Sequence, residues 1–194
     1  RDRGGVLFHK DDLRSAGGES LAAAVREAID DPERAFVAVV LNTIDDALDK
    51  QDPGGTRWGL DDVQHLRALL NGAALAGRAV ILTSDHGHVV ERGSQVRSHP
   101  GAQTRWRPAT GAAPDADEVL VTGPRVKDGA AILPWREGVR YGTLHSGYHG
   151  GASLAEITVP LVVLTRTSGK LPAGWRVAAP QAPVWWNESR LPEP

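Results

Sequence analysis

Ala79-Val80-Ile81-Leu82-Thr83 is a short β-favouring run that begins just after a helical stretch closes at Gly77. In that stretch Val63, Leu66, Leu69, Leu70 and Ala73 recur at helical spacing up to about Ala76. Asp61 or Asp62 is the candidate cap and Gly77 the left-handed stop. Further upstream, Ala35-Phe36-Val37-Ala38-Val39-Val40-Leu41 is a second continuous apolar run, too short for a helix. It suits a strand covered on both faces, as in a parallel sheet. Strand, helix and strand in this order form a right-handed crossover unit. The expected class is therefore α/β, with a mostly parallel sheet flanked by helices.

Other elements fall on either side of this unit. Glu19–Ile29 carries apolar positions at helical spacing and is stopped by Asp30-Asp31-Pro32. Residues 1–18 are charged and Gly-rich and read as a poorly ordered lead-in. Glu118–Val121 and Ala130–Leu133 read as short strands, Ser153–Glu156 as one helical turn, and Val159–Leu164 as a last strand with Pro160 at its start or edge. The segment Arg92–Pro114 is polar and rich in Gly, Pro and Arg, a loop of the length usually reserved for function. The tail from Ser168, with Trp175, Trp185 and Trp186 among prolines, has no regular period. The chain divides accordingly into a lead-in and helix (1–35), a core (36–167) and an irregular tail (168–194).

Bulk properties narrow the functional classes. With 41% hydrophobic and 24% charged residues, the 194-residue chain has an ordinary globular composition and length enough for one core. A formal charge of -2 supplies no whole-chain attraction to nucleic acid. No apolar run approaches the roughly 20 residues that span a bilayer, and Arg1-Asp2-Arg3-Gly4-Gly5 has neither the apolar core nor the cleavage site of a signal peptide. A cytoplasmic, membrane-free protein is expected. The absence of cysteine excludes thiolate sites, so any metal takes His and carboxylate ligands. The absence of Met, even at position 1, reads as the mark of an excised domain.

Three segments could carry chemistry. Ser84-Asp85-His86-Gly87-His88 leaves a strand end, where open α/β sheets place their ligands. On a turn, Asp85 and His86 can face one centre, and Gly87 allows an approach that a side chain would obstruct. Carboxylate and imidazole together suit zinc or manganese; an Asp-capped turn with a solvated His would look the same. Asp45 and Asp49 follow the earlier strand four residues apart, on one face of a helical turn. They could share a metal, or start a solvated acidic helix. His145 and His149 lie among glycines ahead of the last strand, and Ser153 can cap the turn that follows. All three segments fall at one edge of the inferred sheet, which argues for a single site. His88 is an additional candidate, while His9, His65 and His99 read as surface residues.

With these residues in view, the chain resembles the PglZ family, a branch of the alkaline phosphatase superfamily. The resemblance rests on Asn42-x-Ile44-Asp45-Asp46, on Thr83-Ser84-Asp85-His86-Gly87, and on His149-Gly150-Gly151-x-Ser153-Leu154-x-Glu156-x-x-Val159-Pro160. It implies an alkaline-phosphatase-like α/β/α fold, present here as part of the domain, and two divalent ions, zinc or manganese. One ion maps to Asp85 and His86; the other maps to Asp45, the residue four later and His149. That middle position is Asp49 here, where the superfamily has His. The superfamily's Ser or Thr nucleophile lies upstream of these motifs and has no match in residues 1–35, which places it outside this chain. Two cations about 4 Å apart would lower the pKa of a nucleophile and neutralise the attacking and leaving oxygens.

Arg97, Arg105 and Arg107 could hold phosphate oxygens bidentately, or form a solvated basic loop. The resemblance further implies bacterial phage resistance of the Pgl and BREX type, beside methyltransferase and ATPase partners, with phosphate esters, nucleic acid among them, as substrates. Three readings follow: a metal-dependent phosphodiesterase or nuclease, an inactive scaffold of the same system, and a small-molecule phosphomutase.

Overall fold

A computed structural model describes residues 4–14, 21–50, 58–110, 113–165 and 173–176. The chain opens with strand β1 (Gly5–Phe8), followed by a 3-10 turn (Lys10–Leu13), helix α1 (Ala23–Asp30) and strand β2 (Phe36–Val39). β1 and β2 pair in parallel, from Gly5 opposite Phe36 to Phe8 opposite Val39. A crossover unit is thus present, but one strand earlier than the sequence suggests. The segment expected to be an irregular lead-in supplies both its first strand and Leu13, a core residue. Four residues, Gly-Val-Leu-Phe, among charged neighbours are too few to show a period.

The core forms where α1 lies over this pair. Val25 and Ile29, four apart and so on one helix face, cluster with Leu13, and Phe8, Val37, Val39, Leu41 and Leu69 pack around them. The next helices are α2 (Thr43–Lys50), which starts as soon as β2 ends, and α3 (Leu66–Leu75). Neither Asp61 nor Asp62 caps α3. Asp61 is spent on Arg67 and Asp62 accepts from the Gly59 N–H, so the helix starts at Leu66 behind His65. Gly77 closes it with φ 70°, as its sequence position predicts. Arg78 then donates to the carbonyls of Ala28, Ile29, Asp31 and Arg34, satisfying backbone acceptors around the end of α1.

The second half is made of short strands: β3 (Val80–Thr83), β4 (Val89–Val90), β5 (Gln95–Val96), β6 (Arg107–Pro108), β7 (Glu118–Thr122), β8 (Ala130–Pro134), β9 (Val139–Arg140), β10 (Gly147–Tyr148) and β11 (Leu161–Leu164), with helix α4 (Leu154–Ile157) before the last. The mostly parallel sheet is not what these strands build. β3 pairs antiparallel with β11, β4 antiparallel with β10, and β8 lies antiparallel between β6 and β7. Besides β1 and β2, β5 and β9 are parallel. β2 and β3 share no sheet among the described residues.

The physical reason is that a Val/Ile-rich run states a preference for extended backbone and says nothing about which strand it will bond. Nor are these runs covered on both faces: Ile81 is 61% and Leu161 70% exposed. Arg92–Pro114 contains β5 and part of a three-stranded sheet, each contributing only two residues, below the reach of any pattern. Pro160 sits just ahead of β11, where its missing N–H costs no ladder bond. No described helix is long and apolar enough to cross a membrane. The Trp-rich tail lies outside the described residues, apart from residues 173–176.

β6, β7 and β9 are tied together by buried charge. Arg107 donates to the Glu118 carboxylate at 2.5 Å, the Tyr141 hydroxyl donates at 2.6 Å, and the Asp115 N–H at 3.0 Å. Burial alone would raise the carboxyl's pKa; the bonds from Arg107 and Tyr141 more than reverse this and hold it at about 2. A folded-state pKa below the ordinary 4.5 contributes stability that is complete above 4.5 and lost as pH falls toward 2. The melting temperature should therefore drop between pH 5 and 3. Glu118→Gln should melt lower at pH 7 and show a shallower slope over the same acid range, both readable by circular dichroism.

Candidate metal centre

The candidate centre is assembled by three elements. α2 carries Asp45 on its first turn, the segment after β3 carries His86 and His88, and the loop after β10 carries His149. One oxygen of Asp45 and one ring nitrogen each of His86 and His88 lie within 4.8 Å of one another. His88 Nε2 stands 2.7 Å from Asp45 Oδ1. The His149 ring stacks on that of His86 at 4.0 Å and meets His88 edge-on at 5.4 Å.

His88 tests whether this set suits a cation. Its Nε2 is buried and makes no aligned hydrogen bond among the described residues, although Asp45 is within bonding distance. The pair brings a ring nitrogen and a carboxylate oxygen together, the two atom types that a cation such as zinc would take. Burial lowers the His88 pKa; Asp45 pulls it back, while His86 and His149 press it further down. The neutral ring with a free lone pair, the metal-binding form, is thereby favoured. Oxygen and nitrogen donors of this kind suit zinc and manganese.

Asp85 sits at the rim of the set. Its carboxylate is 89% exposed, accepts from the His86 N–H and lies 3.6 Å from His86 Nε2. Two donors on one zinc with bonds of about 2.0–2.2 Å are separated by roughly that distance, so Asp85 and His86 could share an ion. His88, a secondary candidate on sequence grounds, is thus more central than Asp85. Sequence adjacency favoured the Asp-His pair, but the chain also brings the His88 ring to 4.9 Å from that of His86.

Asp49 and His145 are not brought to this set. They pair with each other: His145 Nδ1 lies 3.2 Å from Asp49 Oδ1 and 3.0 Å from its carbonyl, and Nε2 lies 2.8 Å from Thr143 Oγ1. Asp46 pairs with Lys10. The three candidate phosphate-binding arginines are all engaged within the protein. Arg97 makes two bonds of 2.6 Å to Asp117, Arg105 is buried against Glu156, and Arg107 against Glu118.

Glycines fix the turn. A Cβ on Gly87 would overlap the Ala155 carbonyl, because the Gly87 N–H bonds the Glu156 carbonyl at 2.7 Å. Gly150 has φ 100°, a conformation that disfavours side chains. A Cβ on Gly151 would stand 2.6 Å from Glu156 Oε2 and 2.9 Å from Arg105 Nε. Glu156, 2% exposed, also accepts from the Gly151 and Ser153 N–H groups and the Ser153 hydroxyl. Ser153 and Glu156 form a capping box at α4. Sequence reasoning saw the cap and missed the brace, since the Arg105 partner lies 51 residues away. The signal within reach was Ser-x-x-Glu after paired glycines.

These Asp and His side chains, set at strand ends and a helix start, could hold a metal ion. Over residues 2–164 the chain matches the family described as the BREX system PglZ alkaline phosphatase-like domain, and it belongs to that family. The match takes in β1 and α1 as well as the histidine segments, and such a domain is of the α/β class. Alkaline phosphatase-like domains generally use divalent metals. A search of curated proteins found no match.

Two measurements follow from the placement. Gly87→Ala must push α4 off the turn and should weaken zinc binding at least about tenfold by calorimetry. His88→Ala should do the same, whereas His145→Ala should leave zinc affinity unchanged.

Proposed function

We propose that this chain is the metal-binding part of a PglZ-type phosphate-ester hydrolase, acting on phosphodiesters in a BREX phage-defence system. The observation that carries the reading is the convergence of Asp45, His86 and His88, with His149 stacked alongside and the buried His88 Nε2 lacking an aligned partner. Divalent ions held there would neutralise charge on attacking and leaving oxygens and lower the pKa of a nucleophile. The residues' own part is to hold donors in place. Asp45 offsets positive charge, burial keeps His88 neutral, and Gly87 anchors the turn to α4. Arg97, Arg105 and Arg107 are ion-paired internally, so none of the three is proposed as a phosphate contact.

The second reading, a scaffold without turnover, is favoured by Asp49, which occupies the middle ligand position and turns to His145. One assay separates the two. Full-length protein with zinc or manganese should hydrolyse bis-p-nitrophenyl phosphate and lose activity on chelation. Asp45→Asn and His88→Ala should each lower kcat/KM by about a hundredfold or more. Metal binding without hydrolysis would support the scaffold. Protein that binds neither zinc nor manganese would falsify the metal reading.

A further inference from the structure

A concavity of about 480 Å³ opens beside β7 and β8, lined by Arg97, Asp115, Ala116, Asp117, Trp135 and Arg136. None of these residues belongs to the histidine cluster. Part of the lining is already committed. Arg97 grips Asp117 through two bonds of 2.6 Å and stands 3.5 Å from Asp115, while the Trp135 N–H donates to the Asp117 carbonyl at 3.0 Å. Trp135 and Arg136 remain uncommitted, and Asp115 keeps most of its carboxylate exposed. The Trp135 residue is 51% exposed where the chain leaves β8. The Arg136 side chain is exposed and makes no ion pair among the described residues. The Asp115 side chain is 60% exposed and meets only the edge of Arg97.

The chemistry of these groups selects a ligand class. An exposed indole beside a cavity gains from a flat aromatic partner. Two Arg and two Asp cancel in formal charge, so the cavity does not favour a bare anion. Arg136 alone can take one phosphate, and Asp115 can accept from the N–H edge of a base. A nucleotide carries all three complements: a planar base, N–H donors and a phosphate. The cavity is also braced to the metal turn. Gly87 bonds the Glu156 carbonyl, the Glu156 carboxylate bonds Arg105, and Arg105 donates to the Arg136 carbonyl at 3.1 Å.

We propose that this concavity is a nucleotide subsite, with the base stacked on Trp135, its N–H edge on Asp115 and its phosphate on Arg136. Binding stands independently of the metal; use of the subsite by substrate rests on the hydrolase reading above. GMP titrated calorimetrically into full-length protein in EDTA should bind. Trp135→Ala and Arg136→Ala should each weaken it about tenfold or more, and Trp135→Phe should retain part of the affinity. Inorganic phosphate should compete poorly. No GMP binding, equal binding by Trp135→Ala, or phosphate competing as well as GMP would overturn the proposal. With metal restored, Trp135→Ala should raise KM for a guanylyl dinucleotide and leave bis-p-nitrophenyl phosphate turnover unchanged; equal KM values for the dinucleotide would remove the link to substrate. GMP binding without any hydrolysis would sink the hydrolase reading and leave the subsite standing.

Discussion

The arrangement depends on one buried ion pair, Arg105 with Glu156. The guanidinium donates to both carboxylate oxygens, at 2.9 and 2.7 Å, and its remaining donor faces the carbonyls of Arg136, Glu137 and Val139. Burial would raise the Glu156 pKa, but Arg105 and Ser153 hold it below the ordinary carboxylate range. A pair this buried contributes little net stability while whole and is costly when one partner is removed. Its value is geometric. One contact fixes the strands on either side of Trp135, the paired glycines, α4 and, through the Glu156 carbonyl, the turn that carries His86 and His88.

Much of this was legible in the sequence, for local reasons. β7, β8, α4 and the stop at Gly77 follow from apolar β-favouring runs, capping and backbone preference, properties written within a few residues. Gly87 was legible as a close approach. What escaped is non-local. The partner of β3 is β11, nearly eighty positions on, and no property of Val80–Thr83 distinguishes that antiparallel neighbour from a parallel one. The arginines after the Asp-His-Gly turn look like free cations until the fold delivers Asp117, Glu118 and Glu156 to them. The place of His88 beside Asp45 was hidden for the same reason. Which donor reaches the centre depends on α2 arriving from the other side with Asp45.

The cluster also shows how a fold gathers groups that could hold a metal ion from separate parts of the chain. Three imidazoles lie within ring contact, and burial lowers the pKa of His88, favouring the neutral ring that offers a lone pair. One carboxylate among them supplies the charge that a cation needs. Packing, rather than any single motif, brings these donors together and keeps solvent partly away, consistent with membership of an alkaline phosphatase-like family.

Glu156 serves two structures at once, its side chain in the ion pair and its carbonyl on Gly87. Any ion that stiffens the His86 turn must therefore also stiffen α4, and by reciprocity whatever loosens α4 must weaken the hold on the ion. A side chain at Gly87 would strike the backbone of α4 and one at Gly151 the Glu156 carboxylate, so the same short helix is held from two sides by residues that leave no room.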